Sequence, residues 1–242
     1  GANLVESKVN NELGNLKTAS KLIEASGNFD QTQMISLVTI VARENHYKRM
    51  GVAFLNGDTI TTDGMFLNVS ERTYFQEASK GKATVSDTII DYTDGKLINV
   101  YAVPIFRENQ VVALLLASVE TENFKKYLEV GSFANQGYSY IVKANGDQVV
   151  SSLHVNSPDE FDNIIETLKR AEIRDGDRLE TITENMKTGK RGSYTSFYGG
   201  MERHVIYKPL AINDWYLMTV VPTKVVSAQT RQISWYSLML IV

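Results

Sequence analysis

Ser70-Glu71-Arg72-Thr73-Tyr74-Phe75-Gln76-Glu77-Ala78, then Val85-Ser86-Asp87, then Asp91-Tyr92-Thr93-Asp94-Gly95-Lys96, lead into two long apolar runs that end at Glu120. The first segment predicts a short helix with Ser70 as N-cap and Gly81 as its stop, because a serine hydroxyl can accept from the first free amides and glycine accepts a left-handed end. Arg72 and Tyr74 then fall near its exposed start. The acidic turn at 91–96 separates that helix from Leu97–Ile105 and Val111–Val119, which alternate as strands and return through a polar turn at 107–110. A pocket-sized unit results, with an arginine and a tyrosine at one end of an apolar sheet.

Working outward, an internal near-repeat indicates two such units. Ala53-Phe54-Leu55-Asn56-Gly57-Asp58-Thr59-Ile60 and Ile141-Val142-Lys143-Ala144-Asn145-Gly146-Asp147-Gln148-Val149 both read strand, Asn-Gly-Asp turn, strand. Asn-Gly favours a type I′ hairpin, since both turn positions need positive φ. Val103-Pro104-Ile105 and Lys208-Pro209-Leu210 each close an apolar strand, where a ladder donor is expendable. Before the repeat, Val9, Leu13, Leu16 and Ile23 mark one long amphipathic helix, a dimer seam, a clamp or both. Asp30 caps a second helix over Gln31–Asn45, with Met34, Leu37, Val38 and Val41 on one face. After the second turn, Ser157-Pro158-Asp159 starts a helix running towards Leu168–Ile173, and the polar stretch 180–190 is a short helix or a loop. The expected divisions are a stalk helix over 1–30, a first module over 31–130, a second over 131–222 and a C-terminal helix over 223–242, with the module boundary between Glu122 and Gly137.

Composition narrows the chemistry. The 242 residues carry a formal net charge of −3 with scattered lysines and arginines, so no basic footprint points to nucleic acid. With no cysteine there is no disulfide framework, thiolate metal site or Cys nucleophile. Walker, GxGxxG, GxSxG and HExxH patterns are absent, and His46, His154 and His204 lie far apart. Asp87, Asp91 and Asp94 lack the spacing of a calcium loop. A non-catalytic chain without metal or cofactor is expected. Ile233–Val242 is uncharged with Trp235-Tyr236 at its head; it is too short for the roughly 20 residues of a membrane span, but matches the first half of one.

A binding constellation remains. Arg72 offers a fork of donors for a carboxylate, Tyr74 an aromatic wall with a hydroxyl, and Asp91 an acceptor for an amine or hydroxyl. Asn99, Tyr101 and Val103 share one face of their strand, with Val100 and Ala102 on the other. In the contrary reading Arg72 pairs with Asp87 or Asp91 to pin the loop, and Tyr74 is simply core.

The segments RTYFQEA, VSD, DGK and Ala102-Val103-Pro104-Ile105 resemble the double Cache family of extracytoplasmic sensor domains. GYSYIVKANGD and VIYKPLAINDWYLMTVVP look like the matching parts of its second module. The resemblance implies an α+β fold: a long N-terminal helix and two tandem PAS-like modules, each a central antiparallel sheet flanked by helices. It implies a small-molecule ligand in the membrane-distal module, a homodimer through the N-terminal helix, and flanking transmembrane helices anchoring a bacterial receptor. Chemoreceptors, histidine kinases and diguanylate cyclases carry such ectodomains. In the amino-acid-sensing subclass an arginine and an aromatic two residues on bind the carboxylate, while a tyrosine and two aspartates bind the amine. Here these positions are Arg72, Tyr74 in place of the usual tryptophan, Ile89 for the tyrosine, Asp91, and Ser118 for the second aspartate; Tyr101 joins the candidate site through the strand face it shares with Asn99 and Val103, read as a floor. The losses at Ile89 and Ser118 move the expectation from an α-amino acid to a carboxylate or another small polar metabolite. The rival expectation is a ligand-free structural or protein-binding ectodomain, its cavity closed by Met65, Phe66 or Tyr101.

Overall fold

The computed structural model describes residues 2–128, 136–154 and 162–224. It divides into two compact units, Glu6–Phe124 and Lys125 onward with the first five residues. The expected helix start at Ser157-Pro158-Asp159 and the expected truncated membrane helix lie outside the described residues, apart from the latter's first two positions. Among the described residues no helix is long and apolar enough to cross a membrane.

In the first unit, helix α1 (Ala2–Ser26) buries its predicted stripe of Val9, Leu13, Leu16 and Ile23. That stripe is therefore occupied within the chain. Polar tethers add direction: Ser20 Oγ donates to the Pro104 carbonyl at 2.7 Å, and Glu24 accepts from the Phe106 amide at 2.9 Å. Helix α2 (Gln31–Glu44) begins where Asp30 accepts from the Gln33 amide, as a short acidic side chain at the N-cap should. It buries Met34, Val38 and Ala42, with Leu37 and Val41 half-buried at the margin.

Strands β1 (Arg49–Phe54), β2 (Asp58–Thr61), β3 (Phe66–Asn68), β4 (Thr84–Val85), β5 (Ile89–Ile90), β6 (Leu97–Arg107) and β7 (Gln110–Glu120) form an antiparallel sheet in the order β3-β2-β1-β7-β6-β4, with β5 also on β6. Helix α3 (Thr73–Ser79) packs Tyr74, Phe75 and Ala78 onto it. The helix starts later than expected. Ser70 does not cap it; its amide and hydroxyl both bond Asn68 Oδ1, and Arg72 occupies the N-cap without a side-chain bond. Pro104 also departs from expectation, lying within β6 opposite Leu114 rather than at its end. It is tolerated because β4 pairs with β6 only at Tyr101 and Ala102, which leaves that edge open at 104. Helix α4 (Thr121–Lys125) and a 3-10 turn at Lys126–Leu128 close this stretch.

The second unit repeats the plan. Strands β8 (Tyr138–Lys143), β9 (Gln148–Ser151), β10 (Glu172–Gly176), β11 (Gly192–Tyr198), β12 (Met201–Pro209) and β13 (Trp215–Pro222) run in the order β10-β11-β12-β13-β8-β9. Helices α5 (Ile164–Leu168) and α6 (Leu179–Lys187) cover one face through Ile164, Leu168, Ile182 and Met186. The helix expected to reach Ile173 stops at Leu168, and 172–176 pairs with β11 as an edge strand.

The two Asn-Gly-Asp turns are built alike, although neither is type I′. Gly57 and Gly146 have φ of +88° and +94°, while Asn56 and Asn145 are not in the left-handed region. Each asparagine accepts instead from the aspartate amide two residues on. A downstream asparagine clamps each turn: Asn68 donates to the Asn56 carbonyl and Asp58, and Asn163 to the Asn145 carbonyl and Asp147.

Candidate functional site

Arg49 opens β1 with Lys48 just before it, and the antiparallel register sets Arg49 opposite Ser118 of β7, which is opposite Val100 of β6. The turn after β5 then brings Asp91 onto this row. Arg49 is 8% exposed, with Nη1 3.0 Å from Asp91 Oδ1 and Nη2 donating to the Thr93 hydroxyl, while Nε lies 3.0 Å from Asp63 as an ion pair without hydrogen-bond geometry. Lys48 Nζ adds ion pairs at 2.7 Å to Asp91 and 2.8 Å to Asp94. Burial alone would raise the Asp91 pKa, but the Lys48 bond, the Thr93 amide and hydroxyl and the Arg49 charge outweigh it and hold that carboxyl at about 2.

This network encloses one end of a cavity of about 50 Å³ within the first unit. Leu67, Val69, Ile98, Val100 and Leu116 give it an apolar body. Arg72, at the start of α3, reaches its rim with the guanidinium 4.1 Å from the centre of the Tyr92 ring. Among the described residues no carboxylate pairs with Arg72, and the Tyr74 hydroxyl has no hydrogen-bond partner. Burial pushes the Tyr74 phenol up to about 12 against the pull of Arg72, so at neutral pH it is a neutral donor.

Five of the six sequence-predicted residues, Arg72, Tyr74, Ile89, Asp91 and Ser118, meet at this cavity. Tyr101 does not line it. Strand alternation places Tyr101 opposite Ala117, on the sheet face away from Val100, Leu116 and Ser118, so the cavity floor is the Val100 face. Asn99, on the Tyr101 side, is held by Thr121 and the Ser86 carbonyl. Asp91 reaches the site, but its acceptors are committed to Lys48, Arg49 and Thr93 rather than presented to a ligand amine. The loop is pinned as the contrary reading supposed, by Lys48 and Arg49 instead of Arg72. Met65 and Phe66, expected plugs in the ligand-free reading, are 40% and 75% exposed and do not line the cavity. The residues the sequence reading missed are Lys48 and Arg49; the available signal was a basic pair entering a strand ahead of an acidic turn. Among the described residues no group of His, Asp and Glu is placed to hold a metal ion.

A long N-terminal helix and two antiparallel-sheet modules, with a small cavity in the first, define a tandem PAS-like domain. The Cache domain model matches residues 2–230, and the chain belongs to that family, a ligand-binding, non-catalytic sensor fold. Among solved structures, the ligand-binding domain of the Pseudomonas fluorescens chemoreceptor CtaA with L-serine is similar at 17% identity and TM-score 0.71, covering 92% of each chain. That of the Pseudomonas aeruginosa chemoreceptor PctB with L-Arg gives 13% identity and TM-score 0.67, covering 91% of this chain and 90% of that one. The extracellular domain of mmHK1S-Z3, described as a histidine kinase, gives 17% and 0.69, covering 96% and 94%. No curated protein sequence matches the chain.

Proposed function

We propose that this chain is the extracytoplasmic sensor domain of a membrane-anchored bacterial receptor, and that its first module is membrane-distal and binds a short carboxylate without an ammonium group. The observation that carries the reading is how the cations at this end of the cavity are paired. Lys48 and Arg49 hold Asp63, Asp91 and Asp94 by direct ion pairs, whereas among the described residues no carboxylate pairs with Arg72, which lines the cavity with Tyr74, whose hydroxyl has no hydrogen-bond partner. Arg72 and Tyr74 are the donors for the ligand carboxylate; Ile89 and the floor of Val100 and Leu116 meet its aliphatic part, and Ser118 can bond a hydroxyl. An α-ammonium would face Arg49 and the serine hydroxyl, with no carboxylate among the described residues of the lining other than Asp91, which Lys48 and Arg49 already hold. The volume admits roughly three to five waters, and so a ligand of roughly four to six non-hydrogen atoms.

Signalling requires that the ligand favour one arrangement of the module over another, since equal affinity for both shifts nothing. Because the α1 stripe is buried within the chain, a homodimer would use the opposite face of that helix, where Leu4 and Leu22 are 47% and 54% exposed. The partners in this reading are the small ligand, a second copy of the chain, and the membrane through flanking transmembrane segments.

Lactate and L-alanine test the ligand class, because they differ only in hydroxyl against ammonium. Titration calorimetry of the purified domain should detect lactate or propionate and not L-alanine. Arg72→Ala should weaken that binding about 10- to 150-fold, the cost of about 1.5 to 3 kcal/mol for a charged hydrogen-bond donor. Tighter binding of L-alanine than of lactate would refute the reading.

A further inference from the structure

The second unit contains a cavity of about 320 Å³, and we infer that it is a separate binding site for an aromatic carboxylate. Its floor is a single row across four strands, in which Tyr194 pairs with Val205, Val205 with Val220 and Val220 with Tyr138. Two valines thus lie flat between two tyrosines, with Ile164 and Leu168 of α5 above. Tyr140, two residues along β8, faces the same side. Its ring centre lies 6.4 Å from that of Tyr138 at an interplanar angle of 29°, so the wall is a run of aromatic faces.

The neighbouring row pairs Ser196 with Arg203, and both line the cavity. Arg203 Nη1 donates to the Tyr198 carbonyl at 2.9 Å, and its charge pulls down the Tyr138 phenol pKa that burial raises. A guanidinium carries five N–H donors, so further donors remain, and among the described residues no carboxylate pairs with Arg203. No Asp or Glu among the described residues lines the cavity either. An aromatic box with a carboxylate wall would suit an organic cation; this box has a cation at its rim and suits a flat ring bearing one negative charge. The volume lies in the range of small-molecule sites.

The internal repeat supports a designed cavity over a packing fault. Arg49 and Tyr138 each stand seven residues before their Asn-Gly-Asp turn. In the first unit Arg49 pairs with Ser118 and Ser118 with Val100; in the second Tyr138 pairs with Val220 and Val220 with Val205. Both cavities therefore occupy the same place in their modules. What differs is the lining, ionic and narrow in one, aromatic and wider in the other.

The test uses benzoate and phenylacetate as probes, with benzamide and benzylamine as neutral and cationic counterparts, by calorimetry and ligand-observed NMR on the whole domain. Benzoate or phenylacetate should bind wild type and Arg72→Ala equally, and at least tenfold more weakly to Arg203→Gln, while benzylamine should not bind. Intermolecular NOEs from probe ring protons to the methyls of Val205 and Val220 should place the ligand whatever the state of the variant. Absence of binding by both acids to the folded wild type, NOEs elsewhere, or loss of binding in Arg72→Ala with retention in Arg203→Gln would overturn the inference. None of these outcomes depends on whether lactate binds the first module.

Discussion

Asp91→Asn separates holding the loop from holding the ligand. The substitution keeps shape and an acceptor for the Thr93 amide but removes the charge that Lys48 and Arg49 share. The wild-type carboxyl titrates at about 2 in the fold against an ordinary value of 3.8, a difference equivalent to about 2 kcal/mol of stability at neutral pH. Because the folded pKa is depressed, that stability is complete above pH ~5 and is lost as pH falls through ~2, with about half remaining near pH 3. Urea denaturation at pH 7 should therefore show Asp91→Asn less stable by about 2 kcal/mol, roughly 5–10 °C in Tm. The gap should narrow to about half by pH 3. Since Asp91 faces two cations of the protein rather than a ligand amine, lactate should bind Asp91→Asn no more weakly than wild type. A stability gap that does not change between pH 7 and pH 3, or a loss of lactate affinity as large as in Arg72→Ala, would refute this account of Asp91.

Tyr74→Phe removes only a hydroxyl without a protein partner, so carboxylate affinity should fall about 2- to 12-fold, with the urea midpoint unchanged; calorimetry and denaturation on one preparation check both. Gly57→Ala places a Cβ 2.6 Å from the Ser70 Cβ at a φ of +88°, and Gly146→Ala places one 2.7 Å from Asn163 Oδ1 at +94°. Each should destabilise its own unit by about 1–3 kcal/mol, read by hydrogen exchange as lost protection confined to the first or the second sheet. Ser20→Ala leaves the Pro104 carbonyl unpartnered against α1 and should cost about 1 kcal/mol, seen as faster exchange along α1.

The parts of the fold legible in the sequence are those set by neighbours in the chain. Long apolar runs of strand-forming residues mark β6 and β7, a capping aspartate marks α2, and the doubled Asn-Gly-Asp marks the repeat, although the turn type was not legible because it depends on Asn68 and Asn163 reaching back. The edge strand β10 was misread as helix because Glu172-Ile173-Arg174-Asp175-Gly176 has no alternating pattern; partnership with β11 makes it a strand. Arg72 and Tyr74 were legible because one short helix presents both. The fate of Asp91 was not, since the ion pair that claims it joins residues 42 apart and exists only once β1 and the turn after β5 have found their register. The same local sequence around Asp91 could leave its carboxylate open to a ligand ammonium on a frame without a cation at the start of β1. The ligand class is thus decided less by the motif that carries the aspartate than by what the opposite strand places against it.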